Sequence, residues 1–190
     1  VGATPLYVAA QNDHIETAQL LIKAGAEVNK ANNTNGSTPL YIAAQNGHTE
    51  TAQLLIKAGA DVNQAKTNGA TPLYIAAENG HTAIARLLID RGAEVNQDNN
   101  NGYTPLLVAA LFGHAEVVAQ LLAAGADETL LTEAQKTRCA EAIDSGKALL
   151  ITNTRSSACA LADIGQELQR VSIIQNHPCR EASVSQLDKN

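Results

Sequence analysis

Along the first two thirds of the chain, apolar residues fall into short helical registers separated by polar breaks. Leu6, Ala9 and Ala10 stand at i, i+3 and i+4, which places them on one face of a helix. Ala18, Leu21 and Ile22 repeat that spacing shortly afterwards, so a second helix follows the first. Thr4 is suited to cap the first helix, and Pro5 to occupy its first turn, where the missing N–H has no cost. Gly25 is placed to end the second helix in a left-handed conformation. The polar stretch Lys30 to Asn35 then predicts a turn or hairpin before the pattern resumes.

The same pattern returns in phase. Thr-Pro-Leu occurs at 4–6, 38–40, 71–73 and 104–106, in steps of 34, 33 and 33 residues. Ala9-Ala10 returns as Ala43-Ala44, Ala76-Ala77 and Ala109-Ala110, and Gly25-Ala26 as Gly59-Ala60, Gly92-Ala93 and Gly125-Ala126. Gly47, Gly80 and Gly113 are expected to end the first helix of their units. Asp13 takes that place in the first unit and predicts a strained turn. A unit this short cannot bury an apolar face alone, whereas stacked neighbours can, so the period predicts an all-α solenoid. The units run over about 1–33, 34–67, 68–100 and 101–128. The first opens directly at its Thr-Pro-Leu, in a chain that begins at Val1 and has no Met, which predicts further repeats upstream. In the last, Gln120 replaces the leucine seen at Leu20, Leu54 and Leu87, which predicts a polar capping face.

Beyond Asp127 the repeat stops. Thr132-Glu133-Ala134-Gln135 has the form of a capping box and predicts a helix from about Glu133 to Asp144, ended by Gly146. A second helix is expected from about Ala158 to Ile174, with Leu161, Ile164, Leu168 and Val171 on one face and His177-Pro178 stopping it. Residues 129–176 are expected to form a helical extension that covers the last repeat, and 177–190 a polar, disordered tail; the alternative is the start of another functional domain or a secretion or partner-binding tail.

Composition narrows the function. Aromatic residues make up 3% of the chain, with one Phe and no Trp, so the core must be built from Ala, Leu, Ile and Val. The net charge is −6 with no cluster of Lys or Arg, which argues against nucleic acid or an anionic membrane as partner. No apolar run approaches the ~20 residues of a membrane span. Cys139, Cys159 and Cys179 are odd in number and absent from the array, which favours a reducing compartment over a disulfide framework.

Four in-phase copies of Gly-x-Thr-Pro-Leu-x-x-Ala-Ala-x-x-Gly-His, then Leu-Leu-Ile, then Gly-Ala-Asp/Glu-Val-Asn, resemble the ankyrin-repeat family over roughly residues 1–128. The resemblance implies a stack of helix–turn–helix units with hairpin loops, and a protein partner bound on a concave surface of hairpin tips and first helices. By register the tips are Thr34, Asn35 and Ser37, then Thr67, Asn68 and Ala70, then Asn100, Asn101 and Tyr103. The helix positions are Gln11 and Asn12, Gln45 and Asn46, Glu78 and Asn79, and Leu111 and Phe112. Only the last unit carries large apolar groups there, so Tyr103, Leu111 and Phe112 are the expected energetic centre; the alternative is that the C-terminal helices fold back and bury the same three side chains. The chain departs from the family in having Tyr7, Tyr41, Tyr74 and Leu107 after Thr-Pro-Leu. The histidine that makes the family's usual hydrogen bond to the adjacent hairpin is therefore absent. The Tyr-Ile-Ala-Ala and Asn-rich loops are closest in style to ankyrin effectors of intracellular bacteria, which would place the protein in a host cytoplasm.

No catalytic constellation is legible. His14, His48, His81 and His114 recur once per repeat, too far apart to share a metal, and are expected to be structural. His177 and Cys179 lie in the expected tail, where no third group could orient them. Phosphate-binding glycine loops and Cys-x-x-Cys motifs are missing. No cofactor, no metal and no enzymatic activity are expected, and a cytoplasmic monomer that binds another protein is the principal expectation. The alternative is a substrate-targeting segment of a larger enzyme or effector whose catalytic domain lies outside this stretch.

Overall fold

A computed structural model describes residues 2–152. Eight helices come first, in pairs: α1 (Pro5–Gln11) with α2 (Ile15–Lys23), α3 (Pro39–Asn46) with α4 (Thr49–Lys57), α5 (Pro72–Glu78) with α6 (Thr82–Asp90), and α7 (Pro105–Leu111) with α8 (Ala115–Ala123). A 3-10 turn at Glu128–Leu130 leads into α9, helical over 133–152 within the described residues. No strand occurs among the described residues. The expected second helix of the extension, and the tail, lie outside them.

Each first helix begins as the sequence dictates. The hydroxyls of Thr4, Thr38, Thr71 and Thr104 accept from the backbone N–H three residues on, at 3.1–3.2 Å, with proline in the first turn. Such a cap contributes about 1 kcal/mol. The paired alanines are buried in all four pairs and let neighbouring first helices approach closely. First helices pack on one another more extensively than second helices do, the asymmetry that curves a stacked array toward its first helices. The core follows as Leu6, Leu40, Leu73 and Leu106 on the first helices, and Ala18, Leu55, Leu88 and Leu121 on the second.

The expected strained turn is present. Asp13 has φ +56°, the one non-glycine residue with positive φ among those described, where Gly47 and Gly80 have +80° and +72°. Its carboxylate accepts from the fully buried Thr51 hydroxyl at 2.7 Å and faces His48 Nδ1 at 3.7 Å. The left-handed turn of the first pair is thus tied to the second.

Two expectations are corrected. Gly146 does not end α9; the helix continues through it, because there the helix lies against α8. A Cβ at Gly146 would stand 2.5 Å from Val118 Cγ1 and 3.1 Å from the Ala115 carbonyl oxygen. Cys139, Ile143 and Gly146 form the buried stripe of α9. The capping box does form, with Thr132 N–H donating to Gln135 Oε1 at 2.8 Å and Gln135 N–H to Thr132 Oγ1 at 3.3 Å. Gln120, in turn, is not a solvent-facing cap. Leu20 is 67% exposed in the first pair, whereas Leu54 and Leu87 pack against the core, so this position faces the preceding pair rather than the end of the stack. Gln120 Oε1 is buried there without a hydrogen-bond partner.

Candidate functional site

The surfaces named by the repeat register are held by bonds that run from each pair to the one before it. Nε2 of His48, His81 and His114 lies 3.1, 3.0 and 3.0 Å from the backbone carbonyls of Gln11, Gln45 and Glu78. These carbonyls end the first helices and have no partner inside them. The histidines therefore serve the stack. Asn46 and Asn79 donate to the Gln11 and Gln45 carbonyls as well, at 2.9 and 3.0 Å. At the outer loops, the side-chain amides of Asn29, Asn63 and Asn96 donate to the carbonyls of Gly59, Gly92 and Gly125. They also accept from the N–H groups of Asp61, Glu94 and Asp127 at 2.8–2.9 Å.

The hairpin tips are stitched in the same way. Each is closed by two backbone bonds: Asn32 N to Ser37 O, Lys66 N to Ala70 O and Asn99 N to Tyr103 O at 2.9–3.0 Å, and Gly36 N to Asn32 O, Gly69 N to Lys66 O and Gly102 N to Asn99 O at 2.9–3.2 Å. The first loop is one residue longer, which accounts for the 34-residue step. Between tips, Thr67 N–H donates to the Asn35 carbonyl at 3.0 Å and Asn100 N–H to the Asn68 carbonyl at 2.9 Å. Tyr74 makes a hydrogen bond to the adjacent hairpin in the absence of the family's histidine: its hydroxyl accepts from Asn99 Nδ2 at 3.2 Å. Burial, and then the charge of Glu78, push the Tyr74 and Tyr41 phenols up from their ordinary value. Lys66 lies over the Tyr41 ring, 5.0 Å from its centroid.

Thr34, Asn35, Gln45, Asn46, Thr67, Asn68, Asn79, Asn100 and Asn101 are exposed, and Glu78 is half-buried. Ser37 is placed otherwise: it is 2% exposed, as its counterpart Ala70 is 1%, because both pack beneath their tips. Tyr103 at the same position is 41% exposed. Phe112 is 60% exposed, stands where Asn46 and Asn79 reach back to a carbonyl, and stacks on His114 with ring centroids 6.4 Å apart. Leu111 is half-buried. Tyr103 and Phe112 flank opposite ends of α7, about 13 Å apart at 1.5 Å per residue, so they are two separate exposed rings rather than one cluster. A groove that sequence alone did not reveal adjoins the second. Leu111, Phe112 and Ala115 form one wall, and Arg138, Ala142 and Ser145 of α9 the other. It depends on how α9 packs beside α7 and α8, which has no local signature in the sequence.

Among the described residues no group of three or more His, Cys, Asp or Glu could hold a metal ion, and no helix is long and apolar enough to cross a membrane. Comparison with curated proteins gives no match. A family model described as ankyrin repeats (3 copies) matches residues 1–66 and 62–132, more than half of the chain. With the repeated helix pairs and the capped Thr-Pro-Leu starts, this establishes that the chain belongs to the ankyrin-repeat family.

Proposed function

We propose that the protein binds a partner protein on the concave surface of hairpin tips and first helices, with Tyr103, Leu111 and Phe112 as its anchors. Ankyrin repeats are generally protein-interaction modules, which supplies the class of function. The observation that carries the site is Phe112. In the second and third pairs an asparagine at this position donates to the carbonyl one repeat back, whereas in the fourth the Glu78 carbonyl receives only His114. The chain gives up a stacking hydrogen bond there and exposes its one phenylalanine instead. A large aromatic ring on the surface, gained at the expense of an internal bond, suits an interface, where rings bury much area at small entropic cost. Thr34, Asn35, Gln45, Asn46, Thr67, Asn68, Glu78, Asn79, Asn100 and Asn101 form the polar rim that sets specificity.

The experiment is capture of partners from a native lysate by the wild-type chain and by Tyr103→Ser/Phe112→Asn, quantified by mass spectrometry. The proposal expects a defined set of proteins to be lost from the variant. Identical captured sets would refute it.

A further inference from the structure

The tip-to-tip ladder has an open end. Thr67 donates both its backbone N–H and its hydroxyl to the Asn35 carbonyl, at 3.0 and 2.9 Å. Asn100 donates its N–H to the Asn68 carbonyl at 2.9 Å and its side-chain amide to the Thr67 carbonyl at 3.2 Å. The tips are in close contact along this edge. A Cβ at Gly36 would lie 3.1 Å from Thr67 N, and one at Gly69 would lie 2.8 Å from Asn100 N. The next carbonyl in the series is that of Asn101, and the next glycine is Gly102. No N–H among the described residues reaches the Asn101 carbonyl, and a Cβ at Gly102 would meet only Asp98 Oδ2, at 3.9 Å. Among the described residues no fourth tip follows Ala126; the 3-10 turn at Glu128–Leu130 and α9 come instead.

We propose that this open edge, Asn100–Asn101–Gly102, receives an extended or hairpin segment of the partner protein that continues the ladder by backbone pairing. The two internal steps specify its chemistry. The pairing residue is Thr or Asn. A Thr donates its N–H and hydroxyl to the Asn101 carbonyl, as Thr67 does to Asn35. An Asn donates its N–H to the Asn101 carbonyl and its side-chain amide to the Asn100 carbonyl, as Asn100 does one step back. A small or absent side chain above Gly102 permits the approach, and the exposed Tyr103 ring, beside the edge, covers the added segment. Backbone pairing of this kind supplies affinity, and the Thr or Asn supplies selection.

The inference builds on the interaction-module reading, and its test is separate from that reading. The probe is a cyclic peptide of this protein's own second tip, Gln64–Thr71, titrated into the full isotope-labelled chain. Expected are amide shift changes at Asn101, Gly102 and Tyr103, with none at Asn35 or Asn68, whose carbonyls are already engaged. Methylating the peptide nitrogen of its Thr67 should weaken binding about tenfold, the worth of one such hydrogen bond. Silence at millimolar peptide, or equal binding of the methylated form, would overturn the edge proposal. The concave-surface reading would stand in that case if Tyr103→Ser/Phe112→Asn still loses its partners.

Discussion

His81 Nε2 lies 3.0 Å from the Gln45 carbonyl oxygen of the preceding repeat, directly across Gly47, whose absent Cβ would stand 2.8 Å from the imidazole ring. The glycine and the histidine are one device: the left-handed turn ends the first helix, and the bare Cα makes room for the ring that satisfies its last carbonyl. Gly80 and His114 repeat it, with the ring 2.6 Å from a would-be Cβ, while Gly113 has nothing within 4 Å. All three glycines have positive φ. Gly113→Ala should therefore cost about 1 kcal/mol, the left-handed backbone penalty alone. Gly80→Ala should cost at least about 1 kcal/mol more through the added collision. Chemical denaturation of the two variants checks this, and equal losses would contradict it.

Asp13 tolerates the same turn without being glycine because its carboxylate is engaged. Asp13→Ala should leave the Thr51 hydroxyl buried without its acceptor and cost about 1–3 kcal/mol. The double variant Asp13→Ala/Thr51→Val should recover part of that loss, since no polar group then remains unpaired. Thermal melts of both, beside the wild type, measure the recovery.

Gly146→Ala sets helix propensity against packing. Alanine favours a helix interior by about 1 kcal/mol. The added methyl would nonetheless overlap Val118 at 2.5 Å and press on the Ala115 carbonyl. We expect the collision to win, with a net loss of about 1–2 kcal/mol, and Val118→Ala to relieve part of it. A stabilised Gly146→Ala would show that α9 does not pack on α8 in solution.

The tyrosines make stability fall in alkali. Burial raises the phenols of Tyr41 and Tyr74, so the folded state holds those protons more tightly than the unfolded chain. Their contribution is complete below the ordinary phenol value near 10 and is lost as pH rises above it toward the folded values. Denaturant midpoints at pH 8 and pH 10.5 should differ more for the wild type than for Tyr41→Phe/Tyr74→Phe. A difference unchanged by the double substitution would contradict this assignment.

Much of this was written locally in the chain. The Thr-Pro-Leu starts, the glycine stops inside the repeats and the Thr132–Gln135 capping box each draw on residues within one turn of each other, and these took the expected form. What was not legible depends on neighbours a full repeat away. The histidines report their carbonyl partners only once the pairs are stacked, as Tyr74 reports Asn99. Gly146 has the sequence signature of a helix stop, and only its approach to Val118 gives it another use. Ser37 looked like a tip residue but packs beneath the tip, because its neighbours Asn35 and Gly36 make the turn. Of the candidate site, the positions of Tyr103 and Phe112 followed from register, whereas their exposure, their separation along α7 and the adjoining groove needed the fold.

The most direct test of the account is Phe112→Asn, measured for both stability and partner capture. The substitution restores the residue used at Asn46 and Asn79, and with it a donor for the Glu78 carbonyl, to which His114 already bonds. The account predicts a fold as stable as the wild type, or more stable by about 0.5–1 kcal/mol, together with loss of partner capture. A destabilisation of about 3–5 kcal/mol, the cost of truncating a core phenylalanine, or undiminished capture by a stable variant, would contradict it.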